Sequence, residues 1–363
     1  MPTSLGMACA QGLPGAAQAG PLPTGTAWVE LLAAAVDERA IPFLATAVFE
    51  GLLEASSEQA EALTGAHEDL MRACLMLERS TLEVASVFES TEVPFRVLKG
   101  PAVAHLDYPD PSWRAFGDVD VLVPSRSYDA AVRALENLGA HRRSREVRPG
   151  FDRRFGKGAC LVLPDGVQVD LHRTLATGPF GLAIDLDRLF DEQGSVRLGN
   201  REIPTLSREH RFIHACYHAS LGDAVPRIVA LRDVAQLLLT TDLDFARARA
   251  TADAWRGGIV LARAISVAWE RFALVPTPAS EWASGYVGDR FERRALAAYV
   301  GPNRSYARQM AAAVPAVPGL SAKFAFVRSL LFVDRAYAKR HDGGYVRRVR
   351  RAWNSRTLAG DAS

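Results

Sequence analysis

The chain has 363 residues, 48% hydrophobic and 23% charged, with a formal net charge of +2. That length holds two domains, or one large core with appendages, at the composition of an ordinary globular protein. Near-neutral charge removes any global argument for nucleic acid or an anionic membrane as a partner, and no apolar run reaches the roughly 18 residues of a membrane span.

Residues 1–25, with Pro at 2, 14, 21 and 23, are expected to form a disordered leader. They lack the basic start and long apolar stretch of a signal peptide. Segment 26–92 reads as helical. Thr26 is placed to cap a helix with Trp28, Leu31, Leu32 and Val36, and a second helix runs through Phe43, Val48 and Leu52. From Ser57 a long helix keeps Leu63, Leu70, Cys74, Leu77, Val84 and Phe88 at helical spacing until Pro94.

Segment 93–205 reads as a sheet domain. Between Pro94 and Val123, a strand, a short helix and a second strand fit. Ser125 or Ser127 then caps a helix carrying Tyr128, Ala131, Val132, Leu135 and Leu138, stopped by Gly139. A basic segment from His141 to Arg154 follows, read as a strand plus a solvated loop. Pro164-Asp165-Gly166 is a hairpin turn signal between strands 159–163 and 167–171. From Ser207 the period is helical through a domain spanning 206–338, with helices expected at 244–255, 257–273, 288–300 and 318–337. Segment 339–363 is a basic amphipathic tail. Cys9, Cys74, Cys160 and Cys216 are scattered without a Cys-x-x-Cys pair, which points to a reducing, cytoplasmic setting.

The chemistry concentrates in the sheet segment. Val119, Val121 and Val123 take one face of their strand, so Asp118 and Asp120 share the other, roughly 7 Å apart. Asp is a poor strand former, and two like charges on one face repel unless a cation lies between them. Val167, Val169 and Leu171 leave Asp170 on the polar face of its own strand, with His172 beside it. Three acids on neighbouring strands suit Mg²⁺, which keeps several waters and takes substrate phosphates as further ligands. Lys99, one of only 4 Lys against 39 Arg, stands with Gly100 and Pro101 at a turn into the short helix, where backbone amides and an ammonium favour phosphate. Arg114 offers a fork of donors to the same phosphates. His210, His214 and His218 repeat on one helical face without the Glu of a His-Glu-x-x-His zinc site. With Asp233 they are candidates for an acceptor or base pocket, two of the three being read as packing residues.

Leu98-Lys99-Gly100, Arg114, Gly117-Asp118-Val119-Asp120 and Val169-Asp170-Leu171-His172 together resemble the uncharacterised nucleotidyltransferase family of the DNA polymerase β-like superfamily, over roughly residues 26–240. The resemblance implies an α+β fold: a small mixed β-sheet domain packed with N-terminal helices and a C-terminal helical domain. It implies two Mg²⁺ ions held by Asp118, Asp120 and Asp170, and a nucleoside triphosphate, ATP first among them, held by Lys99, Gly100, Arg114, Gly117 and His172. This sequence has Lys99-Gly100 where the superfamily carries Gly-Ser or Gly-Gly, so one hydroxyl ligand is missing. The implied reaction is transfer of a nucleoside monophosphate to a hydroxyl of a small molecule or peptide. The alternative is a nucleotide-binding or regulatory protein of the same fold without turnover; RNA as acceptor draws support only from the basic segments at 141–154 and 339–351.

Overall fold

The computed structural model describes residues 4–301 and 304–334, and the basic tail at 339–363 lies outside them. The chain is mixed α+β. Its sheet contains β1 (Arg96–Val97), β2 (Val119–Leu122), β3 (His141–Arg142), β4 (Gly158–Val162), β5 (Gln168–His172), β6 (Gln193–Leu198) and β7 (Arg201–Leu206). Among the described residues the order is β3-β4-β5-β2-β1-β7-β6. β2 and β5 run parallel, as do β1 and β7, and the other neighbours are antiparallel.

The β4–β5 hairpin closes as its turn residues dictate. Gly166 takes φ +91°, a conformation that costs other residues a clash at Cβ. Its amide donates to the Leu163 carbonyl at 2.9 Å, and the Val167 amide donates to Asp165 Oδ1 at 3.1 Å.

The alternation of the strands sorts two cores. Val97, Val119, Val121, Val123, Leu161, Val169 and Leu171 point to the face covered by α4 (Ser57–Ser90) and α6 (Tyr128–Asn137). Leu98, Leu122 and Leu206 lie in the other core, together with Phe43 and Leu44 of the N-terminal helices and Phe212, Ile213, Val234 and Leu261 of the C-terminal ones. N-terminal and C-terminal helices therefore share one apolar interior, on the side of the sheet that carries the acids. A smaller cluster joins Val147, Phe151 and Phe155 to Met310, Val317 and Phe326.

Several boundaries depart from expectation. Residues 4–25 are not a disordered leader: α1 (Ser4–Cys9) forms, and Leu5, Cys9, Leu13 and Leu22 are buried. Arg232, itself buried, donates through Nη1 to the carbonyls of Cys9 and Gln11. The Pro and small residues that read as coil pack closely there because the Ile228–Thr240 helix supplies the apolar and cationic partners. Thr26 does not cap α2 (Thr26–Asp37); Gly25 holds that position without a side-chain bond. Ser127 stands at the N-cap position of α6 as expected but makes no side-chain bond there, and Ser125–Ser127 form a 3₁₀ turn ahead of the helix. α4 starts where expected, with Ser56 and Gln59 completing a reciprocal cap. The helices at 244–255, 257–273 and 288–300 appear as Phe245–Ala254, Gly258–Phe272 and the shorter Arg290–Leu296, and the last as Leu320–Leu331.

Candidate active site

Parallel pairing of β2 with β5 places Val119 beside Val169, Asp120 beside Asp170 and Leu122 beside His172. Since side chains alternate, Asp120, Asp170 and His172 share one face while the valines fill the core beneath. Oxygens of the two carboxylates and a ring nitrogen of His172 lie within 4.8 Å of one another. Asp118, one step ahead of β2, lines the same cleft as Asp120 and Asp170, with Lys99, Gly100, Gly117, Lys157, His218 and Asp223 around them.

The electrostatics are those of crowded acids. Burial opposes ionisation of Asp120, but the Lys99 ammonium and the His172 hydrogen bond hold its carboxyl well below the usual carboxylate range. Asp118 bears the cost: the Asp120 charge and then burial push it up to about 6. A site that pushes one of its three acids this far up is short of positive charge, and oxygen donors of this kind fit a hard divalent cation. The donor set therefore suits Mg²⁺ on its chemistry.

Lys99 Nζ stands 3.1 Å from Asp120 Oδ2. The Leu98 amide donates to the Asp120 carbonyl at 2.9 Å, which draws the start of α5 (Lys99–Asp107) alongside the acids. Gly100 breaks that helix at φ +41°, ψ −123°, so the regular turns begin at Pro101, and no side chain caps the start. His172 donates Nε2–H to Asp120 Oδ1 at 2.8 Å, so the carboxylate it orients belongs to the neighbouring strand. Its Nδ1 is buried without a partner among the described residues.

Arg114 lines the cleft, as expected, but its fork of donors is engaged within the protein. Its Nε and Nη2 donate to the two oxygens of Asp233 at 2.8 and 2.7 Å, and Tyr108 donates its hydroxyl to Asp233 Oδ1 at 2.9 Å. The pair is buried, so the fork that was to grip phosphate ties the segment ahead of β2 to the Ile228–Thr240 helix instead. This also removes Asp233 from the acceptor pocket. Arg211 clamps Asp107 in the same bidentate way at 2.7–2.8 Å. The histidine row divides by depth: His210 stacks on Trp255 at 5.5 Å, His214 meets the His172 ring edge-on at 6.4 Å, and His218 reaches the cleft. The basic run at 141–154 is partly satisfied internally, Arg142 by Glu146 and Asp152, and Arg153 by Asp129.

Two cleft cations escaped sequence reasoning. Lys157 precedes β4, and burial followed by the nearby Lys99 charge lowers its pKa. Its signal was present, since it is another of the four lysines. Arg39 comes from the corner between α2 and α3 (Ile41–Phe49), and nothing local marks it.

Residues 24–273 match the model of an uncharacterised nucleotidyltransferase family, NTP_transf_5. The chain belongs to this family. The nucleotidyltransferase match runs beyond the expected limit near residue 240, through the Gly258–Phe272 helix, so it takes in helices that share the core behind the cleft. No curated protein matches the chain. Among solved structures it is similar to an antigenic nucleotidyltransferase-like protein from Paracoccidioides brasiliensis, at 12% identity and TM-score 0.30 over 45% of this chain and 75% of that one. It is also similar to ANT(2")-Ia in complex with adenylyl-2"-tobramycin, at 15% identity and TM-score 0.34 over 49% of this chain and 96% of that one. A solution structure of the antibiotic-resistance factor ANT(2")-Ia stands at 15% and 0.34 over 51% and 91%. These are distant likenesses. The enzyme class of this nucleotidyltransferase comes from its family.

Proposed function

We propose that the cleft transfers a nucleoside monophosphate from a nucleoside triphosphate, ATP foremost, to a hydroxyl of a small molecule or peptide. The observation that carries this reading is the register of β2 against β5, which sets Asp120 beside Asp170 with Asp118 one step away. Asp118 and Asp120 would hold two Mg²⁺ ions, with Asp170 completing the second site. Bound there, the metal supplies charge neutralisation of the triphosphate and a lowered pKa for the acceptor hydroxyl.

The chain's own residues do the rest. The uncapped start of α5, opened by Gly100, offers backbone amides to the phosphates. His172 fixes the rotamer of Asp120 through Oδ1, and Gly117 keeps the approach to Asp118 free of a side chain. Asp170 accepts the acceptor's proton as the new O–Pα bond forms and the bond from Pα to the bridging oxygen breaks, releasing pyrophosphate. Positioning and electrostatics account for most of the acceleration in such transfers. The acceptor would enter along the wall formed by His218, Asp223 and Val229.

The test is pyrophosphate release with Mg²⁺, each of four triphosphates and a metabolite extract, for wild type against Asp120→Asn. Release dependent on extract and lost in the variant is expected. Equal release from both proteins, or none from wild type with any triphosphate, removes the catalytic reading; binding without release leaves a silent nucleotide-binding protein.

A further inference from the structure

We propose that Arg39, delivered by the corner between α2 and α3, grips the outer phosphates of the nucleotide, the part that sequence assigned to Arg114. The proposal rests on the nucleotidyltransferase reading of the cleft and adds to it a ligand from outside the sheet.

Three observations converge on this residue. First, its backbone is held. α2 ends in a turn where the Arg39 amide donates to Val36 at 3.1 Å and the Ala40 amide to Ala35 at 2.7 Å, the pattern that usually carries Gly. Arg39 occupies it at φ +54°. The preceding Glu38 pins the corner to the C-terminal helices, accepting from the Ile228 amide at 2.9 Å and from Arg271 Nη2 at 3.1 Å.

Second, the guanidinium is aimed at the acids. Nη1, Cζ and Nη2 lie 3.6, 3.9 and 4.0 Å from the point where a Gly117 Cβ would stand, directly before Asp118, and Arg39 lines the cleft. Third, it is free. Lys99 is engaged with Asp120 and Arg114 with Asp233, whereas no ion pair or hydrogen bond of the Arg39 side chain is found among the described residues.

The position matches the chemistry. Arg39 is exposed at the cleft edge while Asp120 is buried beneath. A triphosphate with its α-phosphate over the acids would have its β- and γ-phosphates within reach of that edge. A planar fork of donors binds such oxygens bidentately. A surface arginine with no ligand would be solvated and indifferent to nucleotide, which is the competing outcome.

Arg39→Gly separates the two, because Gly is at ease at positive φ and the corner keeps its fold. The measurement is calorimetric binding of non-hydrolysable α,β-methylene triphosphates and of the corresponding monophosphates, with Mg²⁺, alongside a melting curve. Expected is a triphosphate affinity about tenfold weaker, an unchanged monophosphate affinity, and a melting temperature equal to or above wild type. Arg39→Asn, which also tolerates this backbone, should give the same split. Triphosphate bound equally by wild type and variants overturns the role of Arg39 and leaves the nucleotidyltransferase reading intact. Equal weakening of tri- and monophosphate also overturns it. A wild type that binds no triphosphate overturns both.

Discussion

Lys99 Nζ lies 3.1 Å from Asp120 Oδ2, and His172 Nε2 lies 2.8 Å from Oδ1 of the same carboxylate. Both oxygens of this buried cleft acid are thus engaged by the protein itself, and Lys99 acts as its resident counter-cation. A divalent cation held by Asp120 would compete with that ammonium for the carboxylate, and Lys99 would then be available to the phosphates. Lys99→Met is expected to bind Mn²⁺ more tightly than wild type in the absence of nucleotide and to bind triphosphate more weakly, each by roughly tenfold. Calorimetric titration of both ligands checks this; an Mn²⁺ affinity unchanged by the substitution would contradict it.

The Arg114–Asp233 pair is predicted to be structural. Removing one partner strands a buried charge, which costs about 3–5 kcal/mol. Arg114→Ala and Asp233→Ala should therefore each lower the urea midpoint strongly. The double variant should recover part of the loss, because neither charge is left alone. Additive losses in that cycle would argue against the coupling.

Residues 4–22 are predicted to belong to the folded core. Leu5, Leu13 and Leu22 are each at most 6% exposed, and burying a leucine is worth about 1.5–3 kcal/mol. Deleting residues 1–22 also strips Arg232 of its two carbonyl acceptors. A loss of several kcal/mol in denaturant unfolding, or an insoluble product, is expected. A truncated chain that melts at the wild-type temperature would restore the leader to a passive role.

A pH dependence follows from Asp152. Burial, and then the neighbouring Glu146 charge, push its carboxyl up to about 7 although Arg142 opposes them; one guanidinium serves two acids there. A carboxyl with a raised folded pKa keeps its proton longer in the folded than in the unfolded chain. Its contribution to stability is thus full below about 4 and is lost as pH rises through about 7. Asp152→Asn removes the titration, so wild type should lose more melting temperature than the variant between pH 5 and pH 8. Parallel profiles would refute the assignment.

Much of the candidate site was legible because it is local. Val119-Asp120-Val121 and Val169-Asp170-Leu171 each declare a buried and a polar face by alternation alone, and Pro164-Asp165-Gly166 declares the hairpin that brings the second acid back. The Lys99-Gly100-Pro101 turn likewise follows from what Gly and Pro permit.

By itself, then, the sequence determined which acids face away from the core, where the hairpin turns, and the family to which those motifs point. Tertiary structure alone decided the partners: that β2 and β5 run side by side in register, that Arg114 is consumed by Asp233, that His172 serves Asp120, and that residues 4–22 and Arg39 join the rest. The physical reason is range. Backbone preference and side-chain alternation act over a few residues, whereas a buried arginine takes whichever carboxylate or carbonyl the packing brings near. For Arg114 that partner is 119 residues away, and for Arg232 it is 223.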